Sequence, residues 1–262
     1  MKNQMKLGIT YICTGKYNTF FKDFYESFND AFCPGNKLTF VIITDQPDTY
    51  KDYKNVKIYD VQRYYKGKDV NYIKFRKWKD ILLAEDFLET QDYCFYMNSN
   101  IRCNQIVTLE DLFKDKDQYA VYHSLFDRSN MPMYTSLVEH KQSGAYFAAK
   151  DKTSYPNYKY YQAGNIGATS KKFLKMCYFI ESIRQYDLFY GLDKYVPWHD
   201  ENYYNKYINL LTKKDANAIN ILDGKKYLCS WLPILKSYHK DAKMIIINKD
   251  EVWQNLNKEK GN

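Results

Sequence analysis

Three short and almost unbroken apolar runs, at residues 7–13, 38–43 and 93–97, each stop abruptly at small polar residues. The stops read Thr14-Gly15-Lys16, Thr44-Asp45-Gln46-Pro47 and Asn98-Ser99-Asn100. Runs this short are too brief for buried helices and too continuous for half-exposed strands, so they mark strands covered on both faces. Between the first two, apolar residues at 20, 21, 24, 25, 28, 31 and 32 form a helical stripe that Cys33-Pro34-Gly35-Asn36 breaks. Residues 56–61 add a strand and 75–88 a second helix. The resulting order β, α, β, β, α, β predicts an α/β fold with a mainly parallel central sheet. In such sheets ligands gather at the carboxyl ends of the strands.

Beyond residue 103 the pattern loosens. Residues 126–160 are rich in Tyr, Ser, Lys and Pro and read as an excursion or lid on the acceptor side. From 161 the chain regains order, with a helix from 170 to about 184, another opening at 198 and running through 208, and a strand at 244–247 before a Lys-rich end. Residues 160–169 (Tyr-Tyr-Gln-Ala-Gly-Asn-Ile-Gly-Ala-Thr) read as small residues ahead of a helix, where backbone approaches a ligand closely. No repeat and no linker interrupts the chain, so residues 1–262 are expected to form a single domain.

Composition narrows the function. With 45% hydrophobic and 27% charged residues the chain has material for a packed core and is too apolar for disorder. No apolar run approaches the roughly 18 residues that span a bilayer, which argues against a transmembrane protein. Six residues of apolar character after Met1 to Lys6 are too few for a secretory signal. The net charge of +8 is spread as single and paired lysines among acids, so no nucleic-acid arm is expected. It permits at most a peripheral contact with anionic lipid. The six cysteines form no CxxC and have only four histidines for company, which speaks against structural zinc and for free thiols in a reducing, cytoplasmic setting. The 28 tyrosines offer flat apolar faces with a hydroxyl, suited to walls that hold sugars or bases.

Three segments carry the chemistry. Trp198-His199-Asp200-Glu201 puts two carboxylates at a helix start, where backbone N–H groups also point outward; by itself an acidic pair there also serves as a cap. Asn98-Ser99-Asn100 ends a buried strand. Alternate residues of a strand share a face, so two carboxylates at such positions hold a divalent cation, but two amides make a poor cage. The third is the Gln162-Ala163-Gly164 stretch.

Taken in chain order, with residues 9–17 and 40–47 before them, these segments resemble glycosyltransferase family 6, the family of the histo-blood-group A and B transferases, α-1,3-galactosyltransferase and shorter bacterial relatives. The resemblance runs over roughly residues 7–250, and Trp198-His199-Asp200-Glu201 followed by Asn205-Lys206-Tyr207 is its most specific string. It implies a GT-A, Rossmann-like glycosyltransferase fold, with residues 1–103 as the nucleotide-binding half and 104–262 as the acceptor-binding half with a basic tail. It implies retaining transfer from a UDP-sugar.

The resemblance also implies a role for each matching residue. Tyr17 would stack on uracil, with backbone at Ile12 and Thr14 on the base edge. Arg76 would contact the donor, with Lys74 competing for that alignment. Asn98 and Asn100 stand at the Asp-x-Asp positions, as in the bacterial branch, which implies transfer without a metal cofactor. Lys249 and Lys258 would supply cations to the diphosphate. Gln162, Ala163 and Gly164 fall on the triplet that selects the donor sugar, and Gly164 implies UDP-GalNAc ahead of UDP-Gal. His199 and Asp200 would hold donor hydroxyls, while His123 and Trp198 would contact a β-galactoside acceptor, either plain or fucosylated as in H-type glycans. Glu201 would be the carboxylate at the reacting centre, either as nucleophile or as the group that stabilises positive charge and orients the acceptor. The competing expectations are another retaining GT-A transferase acting on bacterial surface glycan, and an inactive carbohydrate-binding protein on the same fold.

Overall fold

The three buried runs become neighbouring strands. A computed structural model describes residues 4–66, 68, 72–123, 140–146, 159–196 and 199–260. Its strands are β1 (Lys6–Cys13), β2 (Lys37–Thr44), β3 (Val56–Asp60), β4 (Tyr93–Met97), β5 (Ile101–Cys103), β6 (Gln118–Tyr122), β7 (Tyr161–Thr169), β8 (Asn220–Leu222) and β9 (Met244–Ile246). The helices are α1 (Phe21–Ala31), α2 (Gln62–Tyr65), α3 (Tyr72–Ile81), α4 (Glu85–Leu88), α5 (Leu109–Phe113), α6 (Ser170–Phe189), α7 (His199–Lys214), α8 (Gly224–Tyr227) and α9 (Lys249–Lys260). The central sheet has the order β3-β2-β1-β4-β7-β6-β8, and β5 pairs with β9 separately. β7 alone runs against its neighbours β4 and β6, so the sheet is mixed but mostly parallel, as the sequence predicts.

Alternation along β1 sorts the core into two layers. Leu7, Ile9, Tyr11 and Cys13 meet Phe21, Phe24 and Phe28 of α1 on one face. Ile12 joins Trp78 of α3 with residues of α6 and α7 on the other. Each face therefore has its own helical cover, which is why these strands read as continuous apolar runs rather than alternating ones.

Three expectations change. The helix expected over 75–88 is broken into α3, a tight turn at Leu82–Ala84, and α4. The break lets the Leu88 carbonyl accept from Ser170 Oγ at 2.6 Å, tying α4 to the start of α6. The Gly- and Ala-rich stretch read as a pre-helix approach is instead the nine-residue strand β7, buried from Tyr161 through Ala168. Packing overrides its weak strand propensity. A Cβ on Gly167 would come within 2.4 Å of the Tyr119 ring and 2.6 Å of Phe95, so only glycine lets those two rings close on the strand. The Lys-rich end, finally, is a helix, α9. Most of the loop-rich span at 126–160 lies outside the described residues.

Candidate active site

The carboxyl ends of β1 and β4 open beside the beginning of β7 and the N-terminus of α7. At the end of β1, Ile12 is buried in the core and the Thr14 carbonyl accepts the Tyr17 amide at 3.1 Å. Gly15 takes a left-handed conformation, with φ of 54°, and offers its amide to the Asp45 carboxylate at 3.0 Å. Asn18 completes the lock by donating to Asp45 at 3.1 Å and accepting from Thr44 at 3.0 Å. The polar endings of β1 and β2 are therefore one hydrogen-bonded unit that sets the position of Tyr17. From the other end of the chain, Lys249 Nζ donates to the Tyr17 hydroxyl at 2.8 Å, and Trp253 lies edge-on to the Tyr17 ring with centroids 5.6 Å apart.

The amide pair at the end of β4 divides its work. Asn98 Oδ1 accepts from the Tyr96 hydroxyl at 2.9 Å, and the Asn98 backbone amide donates to the Gly164 carbonyl at 2.8 Å. Asn100 is buried; its side-chain Nδ2 donates to the Ile247 carbonyl at 2.8 Å, and its backbone carbonyl accepts the Ile247 amide at 2.8 Å. It thereby anchors the segment that leads into Lys249. Both side chains are neutral amides, and the Asn98 oxygen is already taken by the Tyr96 hydroxyl, so this donor set does not fit a hard divalent cation that takes several oxygen ligands.

The acidic doublet meets the β7 triplet through a lysine that sequence reasoning passed over. Lys77 is 1% exposed. Its ammonium lies 2.6 Å from Asp200 Oδ2 and 2.8 Å from the Ala163 carbonyl, over the Tyr96 ring at 4.1 Å. Glu201 Oε1 accepts the Ala163 amide at 3.4 Å. Ala163 is thus held by a cation on its carbonyl and a carboxylate on its amide. Burial pushes the Glu201 carboxyl up to about 7, and the Asp200 charge adds to the rise; Lys77, the Ala163 amide and Lys74 oppose it. Gln162 donates to the carbonyls of Tyr122 and Leu228, both at 3.3 Å. A Cβ at Gly164 would come within 2.7 Å of Asn98 Nδ2, so a larger residue there must displace the Asn98 side chain, while Leu228 Cδ2 at 3.4 Å would be in ordinary contact.

Other residues lie apart from this cluster. Arg76 turns to Asp80, with Nη2 to Oδ1 at 2.7 Å, and stacks over Tyr64 at 4.3 Å. Its neighbour Lys77, not Arg76, is the one that reaches the acidic doublet. Lys258 is exposed, nine residues after Lys249, which is about 13 Å further along the helix axis. His123 closes β6, its amide donating to the Tyr160 carbonyl at 3.1 Å, and burial lowers its imidazole to about 4, so it is neutral at pH 7. Trp198 lies outside the described residues, and so does the side chain of His199, the first residue of α7.

Lys77 was hidden because Lys74, Arg76, Lys77 and Lys79 crowd one helix and only the fold shows which of them turns inward. A second signal was visible in principle. Glu201, Asn205 and Asn209 recur every fourth residue on a helix whose neighbouring positions are largely apolar, a polar stripe along one face.

The chain is 28% identical over 255 residues to the O-antigen biosynthesis glycosyltransferase WbnI of Escherichia coli, a match covering 95% of this chain and 97% of that protein. The model of glycosyltransferase family 6 matches residues 1–228, from β1 through α8, taking in the Thr14–Tyr17 turn, the amide pair, the β7 triplet, Lys77 and the acidic doublet. The chain belongs to glycosyltransferase family 6.

Proposed function

We propose that the protein transfers GalNAc, with Gal as second choice, from a UDP-sugar in α-1,3 linkage to a β-galactoside, with retention at the anomeric carbon and without a metal cofactor. The observation that carries this reading is the meeting of Glu201 and Lys77 on Ala163, next to Gly164 and Asn98 at the strand ends. Tyr17 offers its face to uracil, beside the Thr14 carbonyl. Lys249 supplies positive charge where the diphosphate is released, a role that pre-set cations fill well at the departure of an anion. Arg76, already paired with Asp80, and the exposed Lys258 are weaker candidates for that work. Asp200, steadied by Lys77, and His199 hold donor hydroxyls, Gln162 fixes the triplet from behind, and His123 and Trp198 face the acceptor.

Retention proceeds either by two displacements, with Glu201 as nucleophile, or by departure and attack on the same face, with Glu201 stabilising the oxocarbenium charge. Both routes need Glu201 ionised. Independence of metal rests on neutral amides at 98 and 100, the Asn98 oxygen being taken by the Tyr96 hydroxyl. The acceptor as part of a surface glycan, fucosylated or not, is suggested by the O-antigen relative. A reducing, cytoplasmic compartment fits six free, buried cysteines.

The test measures sugar transfer and UDP release with UDP-GalNAc and UDP-Gal at matched concentration on a soluble β-galactoside. One arm contains excess EDTA and another manganese. Faster turnover with UDP-GalNAc, unchanged by EDTA, is expected. Loss on chelation with recovery on manganese overturns the metal-free reading, and a clear preference for UDP-Gal overturns the donor assignment.

A further inference from the structure

The chain leaving the site carries a surface that transfer chemistry does not use. After Leu228, which touches Gly164 and Gln162, it runs through Ser230 into a tight turn at Pro233–Tyr238 and returns as β9. The inward side of this excursion is Cys229, Leu235 and Ala242, packed together in a small core of their own. The outward side presents Trp231, Ile234 and Tyr238, which are 40%, 76% and 43% exposed. A single exposed apolar residue needs no explanation, but an exposed indole just before the turn and an isoleucine three residues later within it form a patch.

The surroundings of this patch are cationic. Residues 223–243 hold five lysines, at 225, 226, 236, 240 and 243, against two aspartates, Asp223 and Asp241. Asp223 is occupied as the cap of α8, accepting the Lys225 amide at 2.9 Å. Lys225 Nζ sits 4.8 Å over the Tyr238 ring, and Lys243 pairs with Asp111 at 2.6 Å. Between them opens a cavity of about 380 Å³ lined by Lys225, Lys226, Lys243, Tyr238, Asp223 and Asp241.

We propose that this surface docks the protein on an anionic lipid bilayer, with Trp231 and Ile234 entering the interfacial layer and the lysines meeting lipid phosphates. A bilayer offers apolar depth and negative charge in one plane, which matches a protruding apolar turn ringed by lysines. Indole rings favour the interface because they carry both an apolar body and an N–H. Docking here brings the Gly164 end of the site, joined to the turn through Leu228, close to the bilayer. The reading stands apart from the choice of donor, because its readout is lipid binding.

The experiment sediments the full chain with vesicles of phosphatidylethanolamine and phosphatidylglycerol, and in parallel with phosphatidylcholine alone. Binding to the anionic vesicles, weakening as salt is raised, is expected. Each lysine near such a surface contributes roughly fivefold in partitioning, so Lys236→Ser with Lys240→Ser should weaken binding by roughly twenty-fivefold. Trp231→Ser with Ile234→Ser should also release the protein from anionic vesicles. Both double variants should keep wild-type transfer to a soluble acceptor. Equal sedimentation with both vesicle types, or wild-type binding by the Trp231/Ile234 variant, overturns the proposal. So does a concentration-dependent dimer that Ile234→Ser abolishes, since a second copy would then be what covers the patch.

Discussion

Replacing Glu201 with glutamine should remove activity and, above neutral pH, make the protein more stable. The wild-type carboxyl is held at about 7 against an ordinary 4.5 by burial and the neighbouring Asp200 charge. The folded state therefore binds this proton more tightly than the unfolded chain does. The stabilisation from the protonated form is complete below about 4.5 and is lost as pH rises through about 7. Well above that point the ionised carboxylate costs the folded state about 3 kcal/mol. Glutamine mimics the protonated form at every pH. Unfolding entropy for a chain of this size is on the order of 0.5 kcal/mol per degree, so the variant should melt about 6 °C above wild type at pH 8.5 and almost level with it at pH 5. Turnover should fall by roughly a thousandfold or more while UDP binding persists, and wild-type turnover should rise with pH through about 7 as Glu201 ionises. Scanning fluorimetry across pH, with rates measured in the same buffers, reads both effects. A melting difference that does not grow with pH, or near-normal turnover in the variant, would refute the reasoning.

Lys77→Met strands the Asp200 carboxylate without its cation and should cost about 3–5 kcal/mol in urea unfolding, with part regained on adding Asp200→Asn. It should also move the acid limb of turnover upward, because Lys77 favours ionised Glu201; an unchanged unfolding midpoint would count against the pair. Gly164→Ala drives a Cβ against the Asn98 amide and should shift the ratio of kcat/KM from UDP-GalNAc toward UDP-Gal, and a ratio that stays put contradicts the assigned role. Asn205→Leu leaves the Tyr161 amide and carbonyl without their side-chain partners and should cost about 2–4 kcal/mol, together with a fall in kcat; denaturation and steady-state rates at one pH check both.

What the sequence revealed of this fold follows from what covers each element. β1, β2 and β4 are buried on both faces, so their apolar runs and polar stops stand out, and β4 matches its expected bounds of 93–97. β7 is buried just as deeply, yet its residues are Gln, Ala, Gly, Asn and Ile. Their selection comes from neighbours far away in sequence: the Phe95 and Tyr119 rings need Gly167, while Asn165 accepts from the Tyr119 hydroxyl and donates to the Tyr227 carbonyl at 2.9 Å. No local pattern encodes such demands. The same holds for the site. Tyr17, Asn98, Asn100 and Glu201 sit at element ends, where a change of pattern draws attention. Lys77 lies in mid-helix among other basic residues, and its inward turn depends on where Asp200 arrives from a helix more than a hundred residues later.

The α7 stripe explains how a short acidic segment can be aimed at a strand. Successive members are four residues, about 6.0 Å, apart along the helix axis, and alternate residues of a strand advance about 6.6 Å, so the two repeats stay nearly in step over three positions. Asn205 accepts the Tyr161 amide and donates to its carbonyl, both at 2.8 Å. One turn later Asn209 repeats the clasp on Lys159, with its amide reaching the carbonyl at 3.1 Å. One turn earlier Glu201 meets the Ala163 amide and makes no matching donation, since a carboxylate has no N–H to give. The Ala163 carbonyl left over is the one Lys77 takes. Two asparagines thus dock the helix on the strand in a fixed register. The third position, with an acid in place of an amide, leaves a vacancy on the backbone that a buried cation fills, which brings opposite charges together beside Gly164. An amide at 201 keeps an oxygen for the Ala163 amide and removes the charge in one step. That is why the same substitution should stabilise the fold and silence the site.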